Sequence, residues 1–387
     1  MGIDLARLVA VAGMMAAHTL LLSEPRPPAA VVALVDGPPS TLFAVLGGVS
    51  VVLAARARLA AGERRSAIGA TVVRGIVVAL LGVVVQPLAT AVHVVLVPFG
   101  ISIAIAGPLL LLPSGAIALL AAGLWLVGGT VAALVRHALL PLVETGAESM
   151  LALLLAGVLD VLASGVYPVV TWLAYLLVGM LVARRLLAAR AAGGERAMLG
   201  RLALAGAALA AAGVAVGELG VRVVAGSGLV EPASASRDLI LASGYGAARG
   251  PQLAWQLVAA PHSGTPADIA RTVGMALLVI AMLGLAVSAL PERALPWIEP
   301  LRAAGGAPLT VYVVHVVLLS LLVGLLLPVA PAFAVGRGGW ALQVAVALVI
   351  GAALAASGSR GPLERLVGWF AGGADRRRAR PGVAAED

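Results

Sequence analysis

The side chains able to do acid–base chemistry in this chain are few, and several sit in apolar sequence where a polar group is costly. His18 lies within AGMMAAHTLLL, residues 12–22. On a helix turning about 100° per residue, His18 falls about 20° from the azimuth of Arg7, and Asp4 about 60° from it. Asp4, Arg7 and His18 therefore share one stripe that runs from the inner interface to roughly 17 Å above it. That stripe must face protein or a water-filled cavity, because lipid would leave it unsatisfied. Asp4 and Arg7 are spaced i, i+3 and can pair. The bland alternatives are a salt bridge that anchors the helix start and, for His18, a hydrogen bond that packs helices together.

A neutral imidazole serves as a general base near pH 7. Four of the five histidines, His18, His93, His137 and His262, fall in the outer half of the expected spans, and His315 lies mid-span in PLTVYVVHVV, one turn after Tyr312. His93 and His137 sit near helix ends, where interfacial polar residues are common. His262 and Ser263 precede a helix start in PHSGTPADI. Thr265, Pro266 and Asp268 there have the form of an N-cap, a proline at N1 and an acid at N3. The free N–H groups of such a helix end favour an anion or a developing oxyanion. No ligand spacing supports a zinc site built from these histidines with Asp36 or Asp268, and no metal is expected. Glu218 and Arg222, spaced i, i+4, read as a structural pair. Gly47, Gly48 and Ser50 let helices approach closely.

These groups must be positioned by membrane helices. The 387-residue chain is 61% apolar and 11% charged, with a mean hydropathy of +1.07; soluble domains carry about 25% charged residues. The expected fold is all-α, a polytopic transmembrane helical bundle with spans at 5–23, 39–55, 69–88, 92–112, 115–135, 166–183, 202–224, 269–290, 306–328 and 339–357. With both termini cytoplasmic, 19 of the 26 arginines fall on the inner side and 7 on the outer, as the positive-inside rule requires. The same rule keeps ESMLALLLAGVLDVLASG, 148–165, outside as a short interfacial or re-entrant segment. Residues 1–357 read as one domain with a long outer loop at 225–268, and 358–387 as a disordered, arginine-rich cytoplasmic tail. The net charge of +8 sets topology and does not indicate nucleic-acid binding. The absence of cysteine and lysine excludes disulfides, thiolate chemistry, a Schiff-base lysine and a Walker A lysine.

Five segments in order, GIDLARLVAVAGMMAAHTL, DGPPSTLFAVLGGVS, GVYPVVTWLAYLLVGMLVARR, APHSGTPADIARTVGMALLVI and GGAPLTVYVVHVV, resemble the bacterial branch of the heparan-α-glucosaminide N-acetyltransferase-like membrane proteins. The resemblance covers nearly the whole chain. It implies a multi-pass acyltransferase of the bacterial plasma (inner) membrane, with many actinobacterial relatives. Such a protein moves an acyl group from cytosolic acyl-CoA, here acetyl-CoA as co-substrate with no bound cofactor, to a sugar or similar acceptor on the outer face. The family's proposed catalytic histidine corresponds to His18, and its Asp-x-x-Arg start to Asp4 and Arg7. Leu8 stands where the family usually has glycine, and Pro38 and Pro39 where many relatives carry a basic residue.

The resulting expectation is acyl transfer with His18 as general base and His262 as a second catalytic candidate. Asp4, Arg7, Asp36, Arg74, Ser263, Tyr312 and His315 form the donor- or acceptor-binding set. The nucleotide end of the donor would lie near Arg7 and Arg74. The oxyanion would be held by the outer end of the 269–290 span, by Tyr312 or by backbone near Gly47. The partners expected are acyl-CoA, a glycan or glycolipid acceptor, membrane lipids and a second copy of the chain in a homodimer. The rivals are a transporter or lipid flippase that uses the same polar stripe, and a non-enzymatic envelope scaffold.

Overall fold

The computed structural model describes residues 1–144, 150–231 and 236–378. Among these the regular structure is entirely helical: α1 (Gly2–Leu20), α2 (Ala29–Val35), α3 (Pro38–Ala60), α4 (Arg64–Val85), α5 (Leu96–Leu109), α6 (Ser114–Glu144), α7 (Met150–Leu159), α8 (Val169–Ala191), α9 (Glu195–Gly226), α10 (Arg237–Ile240), α11 (Pro266–Ala289), α12 (Glu299–Gly306), α13 (Pro308–Leu326), α14 (Pro331–Ala334), α15 (Gly336–Ser357) and α16 (Pro362–Arg378). Nine helical stretches among the described residues are long and apolar enough to cross a membrane. In hydrocarbon every backbone polar group must find its partner inside the segment, which is why such runs become helices.

The expected span at 92–112 is the exception. It forms only α5, 14 residues long, about 21 Å and short of the roughly 30 Å hydrocarbon core. Turns at Leu110–Pro113 intervene before Ser114 opens α6. The 148–165 stretch also falls short of a span: α7 passes into one π turn at Asp160–Ser164. The tail departs from its expected disorder over 362–378. There α16 packs on α4 with Val367 and Ala371 buried, and Glu364 accepts from the backbone N–H groups of Leu309 and Thr310 at the start of α13. The remaining residues of the tail, 379–387, lie outside the described residues.

Packing relies on close backbone approach, as expected where lipid and protein core are equally apolar. The crossing of α3 and α8 shows it best. A Cβ on Gly48 would lie 1.9 Å from Leu176 O, and one on Gly179 only 1.8 Å from Val45 O. Helix α1 runs through the centre of the bundle, against α3, α11, α12, α13 and α15. Its expected polar stripe faces these neighbours.

Candidate functional site

The break between α2 and α3 opens the site. Ala29–Ala60 is one apolar stretch, yet Asp36 is extended and Gly37 has φ +102°. That left-handed conformation favours glycine. Pro38 and Pro39 then begin α3 with their fixed φ. The break turns Asp36 inward, where its Oδ1 lies 3.1 Å from His262 Nε2. The proline pair is thus the start of α3 itself, and Pro39 lines the cavity described next.

That cavity has a volume of about 480 Å³. Its polar lining comes from His18, Asp36, Ser40, His93, Tyr167, Tyr245, His262 and Tyr312. Met14, Leu21, Leu22 and Val35 make its apolar side. His18 stands on the last turn of α1, and its Nδ1 lies 2.8 Å from His315 Nε2. His315 is not in the lining. It sits behind His18, 1% exposed, and its Nδ1 meets Gln343 Oε1 of α15. Tyr312 Oη accepts from the Val95 N–H at 3.2 Å, so its own proton remains available to an oxygen in the cavity. The Tyr167 ring meets His262 edge to face, with centroids 5.9 Å apart. Burial, with Tyr312, Asp36 and Tyr245 nearby, raises the Tyr167 pKa far above the ordinary tyrosine value. It is a phenol O–H donor throughout the neutral range.

The far wall is held in strained backbone. His262 has φ +55° and Tyr245 φ +44°, which costs a non-glycine residue about 1–2 kcal/mol each. Paired segments hold them there: Gly244 N–H donates to Pro261 O at 2.8 Å, and Gly246 N–H to His262 O. Beneath them Arg136 of α6 donates to the carbonyls of Ser164, Gly165, Gly244 and Tyr245. One planar guanidinium with five N–H donors thereby ties together the two loops that carry Tyr167 and Tyr245. Arg271 does similar work for Asp36. It is buried, bonded to Asp268 Oδ1 at 3.0 Å and to Ala33 O, in α2, at 3.1 Å.

Other expected site residues lie elsewhere. Ser263 is 1% exposed and donates to Ala260 O at 2.7 Å; it is outside the cavity lining. The start of α11 is capped as expected, Thr265 Oγ1 accepting from the Asp268 N–H at 3.2 Å, but Thr265, Ala267 and Asp268 are buried and outside the cavity lining. Arg7 donates to Asp4 Oδ1 at 2.7 Å and to Ser50 Oγ at 2.9 Å. This layer, and Arg74 on α4, are likewise outside the lining, the Arg7 layer about 16 Å along α1 from His18. Glu218 pairs with Arg237 of α10 in addition to lying near Arg222. His93 reaches the cavity, whereas His137 is exposed on α6. Among the described residues no group of three or more His, Asp or Glu side chains is placed to hold a metal.

Sequence reading passed over Arg136, Arg271 and Gln343. Arg136 and Arg271 counted only toward topology, although Asp268 and Arg271 carried an i, i+3 signal. Gln343 gave none. Comparison with protein-family models, curated proteins and solved structures finds no match for this chain.

Proposed function

We propose that this protein is an integral membrane acyltransferase that moves an acyl group from acyl-CoA to a hydroxyl or amine of an envelope glycan or glycolipid, with both termini cytoplasmic. The observation that supports it is that His18, backed by the buried His315, and His262, paired with Asp36, face one cavity that three tyrosines also line. His18 Nε2 takes the acceptor proton as the acceptor atom attacks the thioester carbonyl. Such base catalysis is worth about 10²–10⁴-fold. Tyr312 donates to the developing oxyanion, and loss of a donor of this kind costs about 10²–10³-fold. The C–S bond then breaks, and the proton passes from His18 to the leaving thiolate. His262, oriented by Asp36, binds the acceptor.

The test is transfer from labelled acetyl-CoA by protein reconstituted in lipid, against a panel of sugars and glycolipids. Wild type is expected to acylate at least one acceptor, and His18→Ala to lose at least a hundredfold at equal folding. Undiminished transfer by His18→Ala, or no binding of any acyl-CoA, overturns the reading.

A transporter or lipid flippase is the second reading. The observation that favours it is the separation of the cavity from the Arg7 layer, as in a carrier open toward one face. Substrate flux into sealed vesicles without acyl chemistry would establish it in place of the first.

A further inference from the structure

His315 and Gln343 are each 1% exposed, and the mechanism above leaves both unused. The His18 and His315 rings are 2° from coplanar with centroids 5.1 Å apart. With His18 Nδ1 and His315 Nε2 at 2.8 Å, they meet nitrogen to nitrogen in one plane, not face on face. Gln343 Oε1 contacts His315 Nδ1 at the other end of this row. A carbonyl oxygen only accepts, so His315 Nδ1 carries a proton. In a neutral ring His315 Nε2 is then the acceptor, and His18 Nδ1 must donate to it. The remaining nitrogen of His18, Nε2, is left with a lone pair.

We propose that Gln343 is a positioning residue that acts through His315 to make Nε2 the basic nitrogen of His18. The inference rests on the reading of His18 as the general base. A second observation gives it a further consequence. Gln343 Nε2 is buried without a hydrogen-bond partner among the described residues. Turning the amide over would place Nε2 on His315 Nδ1, leave Oε1 unpaired instead, and reverse both rings. His18 Nε2 would then carry the proton and could not abstract one. The amide orientation therefore selects between a base and an acid at the same ring. When His18 Nε2 accepts a proton from the acceptor, its Nδ1 proton passes to His315 Nε2. The positive charge moves one ring away from the cavity, held by Gln343 Oε1, and returns when the proton leaves for the thiolate.

The test is ¹⁵N NMR of the full-length protein, labelled at histidine and held in lipid nanodiscs, with His18 assigned by its loss in His18→Gln. Wild type is expected to show His18 protonated at Nδ1 and unprotonated at Nε2. Gln343→Leu should shift His18 toward the Nε2–H form, and Gln343→Glu, which can only accept, should restore the original pattern. Gln343→Met serves if the leucine variant does not fold. In transfer assays the leucine variant should lose kcat tenfold or more at unchanged acceptor KM, with recovery in Gln343→Glu. An Nε2–H form in wild type, or an unchanged pattern in Gln343→Leu, overturns the proposal. The spectra require no acyl chemistry. A protein that shows the expected pattern but transfers no acyl group removes the proposed function and leaves the role of Gln343 standing.

Discussion

His262 Nε2 lies 3.1 Å from Asp36 Oδ1, which joins the loop before α11 to the break between α2 and α3. The two residues are 18% and 16% exposed at their side chains, wet enough to meet a ligand and dry enough for the bond to matter. A hydrogen bond to a charged group is worth about 1.5–3 kcal/mol. Asp36→Ala is therefore expected to reduce kcat/KM for the proposed acyl transfer by roughly tenfold to a hundredfold, with Asp36→Asn between it and wild type. Steady-state kinetics in nanodiscs, beside melting curves for each variant, measures this; wild-type kinetics in Asp36→Ala would remove the pair from the site.

Arg136 holds the two loops that carry Tyr167 and Tyr245 through four carbonyls. Arg136→Met leaves those carbonyls without their donor, at a cost of about 1–3 kcal/mol for each one that water does not reach. The expected outcome is a Tm several degrees lower and faster proteolysis around Tyr245. Arg136→Lys should not rescue it, because one ammonium lacks the planar fork that reaches both loops. A lysine variant as stable as wild type would contradict this account.

Ala17 lines the cavity one residue before His18. Ala17→Phe should fill part of the 480 Å³ and leave the backbone of α1 undisturbed. Acceptor transfer, or flux if the protein is a carrier, is expected to fall at least tenfold with Tm unchanged. Ligand handling at the wild-type level would place the substrate elsewhere.

Gly48 and Gly69 make a control pair. Gly48 meets the α8 backbone at Leu176 O, while a Cβ on Gly69 of α4 meets nothing within 4 Å. Gly48→Ala should force α3 and α8 apart and abolish the monodisperse peak in fluorescence-detected gel filtration. Gly69→Ala should be neutral or stabilising by about 0.5–1 kcal/mol. Comparable profiles for the two would show that the α3–α8 approach tolerates a side chain.

The sequence by itself determined the features whose physics is local. Nine of the ten expected spans recur as long apolar helices, because a run of about 20 apolar residues has no other low-energy state in lipid. Thr265 capping the start of α11 at Pro266 followed from three adjacent residues. The Asp4–Arg7 pair followed from helical spacing. Tertiary structure alone decided the rest. His315 reaches His18 across 297 positions of sequence, and Gln343 stands 28 beyond it. Arg136 meets loops 28 and 109 residues away. In a soluble helix the apolar face marks the side that packs, but here lipid and core are both apolar, so the pattern does not say which faces meet. Small residues permit the contacts, and only the assembled bundle selects them. The same limit hid α5, apolar like its neighbours but cut short by the turns before α6, and α16, whose short apolar stripe is buried only because α4 lies beside it.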